Sequence, residues 1–149
     1  MQLNSCMLRQ SKLWLYFGAG WLILTNVGHT WGYYGAFVTR ELLQPDRNAI
    51  YEAMAATGED TLLSASFWTV LQMMALELTF FLGFAAVVTI WIARMADIGL
   101  HRDFAAIATL TFGFGIIGFL FIHPQINALI IAAGATVLYG LAWLMARTA

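Results

Sequence analysis

The stretch that decides the fold is ASFWTVLQMMALELTFFLGFAAVVTIWIA, residues 65–93. It holds one ionisable side chain, Glu77, and no proline. A bilayer-spanning helix needs about 20 mostly apolar residues. This run exceeds that length, so it reads as a membrane span that is tilted or protrudes. Three further runs read the same way, giving spans at about 13–38, 65–93, 104–122 and 126–146. The expected architecture is therefore all-α: a single transmembrane domain over 1–149, folded as a four-span antiparallel helical bundle. Composition agrees. The chain is 61% hydrophobic and 10% charged, against about 25% charged residues in soluble domains. So few charges cannot clothe a water-facing surface.

The expected environment is the lipid bilayer. Orientation follows from the positive residues, which concentrate on the cytoplasmic side. Arg9, Lys12, Arg94, Arg102 and Arg147 fall on one side of the four spans, Arg40 and Arg47 on the other. That places both termini in the cytoplasm and the 39–64 loop outside. Trp14, Trp91 and Trp143 lie near the cytoplasmic charges, and Trp31, Tyr33, Tyr34 and Trp68 near the opposite ends, as interfacial aromatic residues do. Trp21 falls in mid-span and its indole N–H needs an acceptor. The first span is too long for a signal-peptide core, and LNSC at 3–6 is not read as a lipoprotein box.

The 39–64 segment opens on Pro45–Asp46 and reads as a short helix, RNAIYEAMAAT, capped by Asp46 and stopped at Gly58. The HPQ turn at 123–125 is short enough to make the last two spans antiparallel neighbours.

The stretch TNVGHTWGYY, residues 25–34, sets polar groups inside the first span. Asn26, His29 and Thr30 lie at i, i+3 and i+4 and share a helical face. Glu77 is the matching feature of the second span, at a similar expected depth. An intramembrane acid is costly and marks a functional site by default. The candidate polar site is therefore Asn26, His29, Thr30 and Glu77, with Glu77 in contact with His29 or Asn26. The bland alternative is that these groups glue helices together. Gln72 lies five residues from Glu77, about 140° round the helix, and is read as an interhelical hydrogen-bonding group. Gly28 and Gly32 form a GxxxG, and Gly113 and Gly118 lie in TLTFGFGIIGFLF; glycines at such spacing let another helix approach closely. All four are expected at helix contacts.

No metal site is expected. The lone Cys6 excludes a disulfide or paired-cysteine framework within the chain. His29 and His123 would be the ligands of a haem held between helices, but a histidine in the HPQ turn has an ordinary explanation as a solvated residue, and the cofactor stays unknown. His101, beside Arg102 and Asp103, is expected to be solvated. Near-zero net charge removes nucleic acid as a partner. No P-loop, HExxH or nucleophile elbow occurs.

Gly28–His29 late in the first span, the acidic loop helix around Met54, and FIHP at Phe121–Pro124 before an alanine-rich last span carry a resemblance to a family of uncharacterised small bacterial four-span membrane proteins. The resemblance implies four spans and no particular activity. Where it leads one to expect a second-span histidine, this chain has Glu77. Two functions are carried forward: a structural, binding or complex-subunit protein with a membrane protein partner or a homo-oligomeric state, and a small membrane enzyme or carrier for a lipid-soluble ligand using a Glu/His pair.

Overall fold

In the computed structural model every regular element is a helix. The structure describes residues 2–39, 49, 52–54, 56, 67–121 and 126–148. Among them there is no strand. Helix α1 runs Gln2–Tyr33, α2 Phe67–Arg94, α3 Ile98–Phe121 and α4 Ile126–Arg147. Residues Tyr34–Val38 extend α1 as a π-helical turn, where the Thr39 N–H reaches back to the Tyr34 carbonyl at 3.0 Å. The four expected spans thus correspond to four helices. Two, Val70–Arg94 and Ile126–Arg147, are long and apolar enough to cross a membrane. Within residues 40–64 only Ala49, Glu52–Met54 and Ala56 are described, and they are helical. The Asp46 cap, the Gly58 stop and the HPQ turn lie outside the described residues.

The helices start and stop for local reasons. Asp97 accepts the Leu100 N–H at 3.1 Å on its carboxylate. That satisfies one of the four donors a helix leaves unpaired at its start. It begins α3 six residues before the expected apolar run. At the end of α2 the Met95 N–H closes onto the Ile92 carbonyl at 3.0 Å. Inside the helices, Thr79, Thr89, Thr109 and Thr136 each return their hydroxyl proton to the carbonyl four residues back, at 2.7–3.2 Å. This back-bonding hides a polar group without a partner helix, so threonine sits within an apolar run at little cost.

The chain separates into two compact units, Met1–Thr25 with Phe84–Ala149, and Asn26–Gly83. In the first, α4 buries Ala132, Ala135, Tyr139, Ala142 and Ala146. These steps of three and four residues keep one seam turned inward, and alanine lets backbones come close. Leu15, Ala19 and Leu22 of α1 and Ala86, Ile92 and Ala93 of α2 are buried in the same unit. Trp21 lies at Ile131 and Gly134, Gly18 at Tyr139, and Met7 at Thr148. Numbers fall along α1 as they rise along α4, so the two are antiparallel. The first turns of α1, before the expected span, are helical because they have packing partners there: Ser11 is buried and Met7 touches the end of α4. Arg147 lies over the Trp143 ring, 5.3 Å from its centroid, with the cation near the carbonyl end of α4 where the helix dipole favours it.

The outer surface is apolar. Phe84, Val87 and Trp91 of α2, Ile107, Leu110 and Phe114 of α3, and Ile130 and Val137 of α4 are all exposed. Soluble monomers rarely expose contiguous apolar patches beyond a few hundred Å2.

Candidate functional site

Within the unit Asn26–Gly83 the polar residues of α1 meet α2, though not at Glu77. The His29 ring nitrogen Nε2 lies 2.9 Å from the Ala75 carbonyl oxygen. A carbonyl only accepts, so Nε2 carries the proton. Thr79 sends its hydroxyl to the same oxygen at 3.2 Å. Thr30 is satisfied on its own helix, donating to the Asn26 carbonyl at 2.7 Å. The Asn26 side chain packs on Gly83, where an added Cβ would lie 3.2 Å from the Asn26 Nδ2. Its Oδ1 is buried without a hydrogen-bond partner among the described residues.

The expected contact of Glu77 with His29 or Asn26 is not made. Ala75 and Thr79 turn toward α1, and Glu77 is two residues from each, about 200° round the helix. Glu77 is exposed, flanked by exposed Met73, Met74, Phe80 and Phe81. The azimuth of α2 is set by its small and back-bonded residues facing α1. His29 finds a backbone carbonyl there and has no need of the carboxylate. Gln72 is half-buried.

Among the described residues the glycines expected at helix contacts have no neighbour at that position. A Cβ at Gly28, Gly32, Gly113 or Gly118 would meet nothing within 4 Å. The close approaches are at Gly18, Gly83 and Gly134 instead. GxxxG spacing allows approach, but larger neighbours decide which face turns inward. On α1 the inward positions are 11, 15, 19 and 22, and Asn26 and His29 continue the same steps of three and four. Gly28 and Gly32 fall off that stripe. The stripe itself was the signal in the sequence that marked the packing face.

Trp21 resolves its mid-span problem by donating its indole N–H to the Ile131 carbonyl at 3.0 Å. The ring lies so close over Gly134 that a Cβ there would be 2.6 Å from Cε2.

Two buried polar junctions escaped the sequence reading. His101, expected in water, is fully buried. Its Nε2 lies 3.0 Å from the Ile92 carbonyl and its Nδ1 2.9 Å from the Ser11 hydroxyl. The Ile92 carbonyl, in the last turn of α2, accepts both the Met95 N–H and the imidazole, so His101 adds a cap to α2 from α3. With Nε2 donating, the neutral ring accepts the Ser11 proton on Nδ1. That hydroxyl also lies 3.1 Å from the Leu8 carbonyl and serves one acceptor at a time. Burial holds the imidazole below its ordinary range; the Ile92 hydrogen bond opposes this and the Lys12 charge reinforces it. The neighbours Arg102 and Asp103 pair with each other at 2.9 Å and point outward. Charged neighbours along the chain misled the reading, because they occupy a different face.

The second junction is Tyr139 with Thr89, oxygen to oxygen at 2.8 Å. The single Thr89 proton goes to the Ala85 carbonyl at 2.7 Å, so Tyr139 donates. Phe112 stacks parallel on the phenol ring at 5.8 Å between centroids, Phe104 meets its edge at 5.9 Å, and Gly18 leaves room for it. The signal in the sequence was a tyrosine falling on the alanine seam of α4.

Among the described residues no three His, Cys, Asp or Glu side chains come together to hold a metal. Of the two histidines in the haem alternative, His29 holds the Ala75 carbonyl through Nε2, and His123 lies outside the described residues. No protein family, curated protein or solved structure matches the chain.

Proposed function

We propose that the chain is a four-span all-α protein of a bacterial inner membrane, both termini cytoplasmic, serving as a non-catalytic subunit that binds another membrane protein or a second copy of itself. The observation that carries this reading is Glu77. It stands exposed among Met73, Met74, Phe80 and Phe81, without a hydrogen bond or ion pair among the described residues. A carboxyl on a lipid-facing surface costs a few kcal/mol by insertion scales. A partner helix offering a hydrogen-bond donor or a cation removes that cost. The apolar surroundings supply the packing area, and Glu77 supplies the register.

The remaining support is compositional. Residues 104–121 contain no Asp, Glu, Lys or Arg, and the five-to-two division of positive residues sets the orientation. The enzyme or carrier reading rested on a His29–Glu77 pair; His29 bonds to the Ala75 carbonyl instead, which favours the subunit reading.

The test is cross-linking in native membranes. Met74→Cys in a Cys6→Ser background should give a defined adduct, either a dimer or a larger complex. Glu77→Leu should weaken the association threefold to roughly twentyfold, the range of about 0.6–1.7 kcal/mol measured for polar bonds between membrane helices. A monomer that gives no adduct, or a complex indifferent to Glu77→Leu, removes the subunit reading.

A further inference from the structure

Two cavities lie end to end along the outer side of α1 in the unit that includes Met1–Thr25. The first, about 540 Å3, is lined by Arg9, Gln10, Lys12 and Tyr16 among others. The second, about 460 Å3, is lined by Tyr16, Phe17, Gly20, Trp21, Leu24 and one residue of α4, Leu138. Tyr16 lines both, so the basic cavity and the apolar one adjoin at this side chain.

The chemistry of the pair is that of an amphiphile. Arg9 and Lys12 are i and i+3, one above the other on the helix surface. Among the described residues neither forms an ion pair; the only pair is Arg102 with Asp103. A phosphate is the complement of such a site. Beyond Tyr16, Phe17 and Leu24 are exposed apolar walls. Trp14 and Phe17 brace each other at 5.6 Å between ring centroids. Gly20 forms the floor: a Cβ there would meet nothing within 4 Å, so the absent side chain leaves the groove open. From Lys12 to Leu24 the helix rises about 18 Å, close to the half-thickness of a hydrocarbon core of about 30 Å. That length accommodates one acyl chain below one headgroup.

We propose that the N-terminal half of α1 is an anionic-phospholipid site, with Arg9 and Lys12 taking the phosphate and the groove over Gly20 holding an acyl chain. The site rests on the membrane reading above, and it is distinct from the Glu77 face. A basic residue near a membrane surface attracts anionic lipid by about fivefold.

Flotation with phosphatidylcholine vesicles after carbonate extraction comes first. A protein that fails to float overturns the membrane reading and this site with it. For a protein that floats, native mass spectrometry in mild detergent then compares bound phosphatidylglycerol with phosphatidylcholine. The wild-type chain should retain phosphatidylglycerol preferentially. Arg9→Gln with Lys12→Gln should lower that preference by about 25-fold, while Arg102→Gln, whose partner is Asp103, should leave it unchanged. Gly20→Leu should keep the fold and expel both lipids by filling the groove. Absence of headgroup preference in a protein that floats overturns the site alone. So does an equal loss in Arg102→Gln, full lipid retention in Gly20→Leu, or displacement of the lipid by equimolar glycerol phosphate, which carries the charge without the chain.

Discussion

Replacing Gly134 with alanine is expected to unseat Trp21. The new methyl would stand 2.6, 2.7 and 2.9 Å from Cε2, Cζ2 and Nε1 of the indole. Carbon atoms favour separations of about 3.5–4.0 Å, so the ring must retreat by roughly 1 Å. It cannot retreat freely. Its N–H donates to the Ile131 carbonyl at 3.0 Å, on the same turn of α4. Overpacking costs about 1–3 kcal/mol, and a strained or lost hydrogen bond about 0.5–1.5 kcal/mol more. Alanine regains about 1 kcal/mol of helix propensity over glycine. The net expectation is a loss of about 1–3 kcal/mol. Unfolding of the detergent-solubilised protein, followed by tryptophan fluorescence and by circular dichroism, measures it. Gly28→Ala and Gly113→Ala are the controls. Their methyls meet nothing within 4 Å, so they should be neutral or gain up to about 1 kcal/mol. In a Trp21→Leu background the Gly134→Ala cost should shrink, with a coupling of at least about 0.5 kcal/mol. If Gly134→Ala is as harmless as the two controls, the close contact of α1 with α4 at this point is refuted.

The Tyr139–Thr89 junction makes an asymmetric prediction. Tyr139→Phe removes the donor and leaves Thr89 bonded to Ala85, for a loss of about 0.5–1.5 kcal/mol. Thr89→Val strands the buried phenol hydroxyl, for about 1–3 kcal/mol, and the double variant should be milder than Thr89→Val alone; chemical denaturation of the three variants decides the order. At the His101 junction the imidazole is held below its ordinary value of 6.5 by burial. The unfolded chain therefore binds the proton first as pH falls, and stability drops with it. The protein should be fully stable above about pH 6.5 and lose stability progressively below. His101→Gln should flatten that slope, and melting curves between pH 8 and 5 compare the two.

Local chemistry along the chain is enough to read it as helical and to place its two most apolar helices. Length and apolarity of a run are local quantities. They fix α2 over Phe67–Arg94 and α4 over Ile126–Arg147 to within a few residues of the reading. The same local chemistry showed that Trp21 needed an acceptor and that Asn26, His29 and Thr30 stand out in α1. What these groups meet depends on how the helices pack. Each helix has one free rotation about its axis, and that rotation is settled by packing between residues far apart in sequence. The alanine seam of α4 turns Tyr139 onto Thr89, 50 positions away. The face of α1 that carries Ser11 and Leu15 turns Ser11 to His101, burying a histidine whose sequence neighbours are charged. The face of α2 that offers Ala75 and Thr79 gives His29 a backbone carbonyl and leaves Glu77 outside. A carboxylate and an imidazole at matching depth look like partners in one dimension. An offset of about 200° between Ala75 and Glu77 separates them in three.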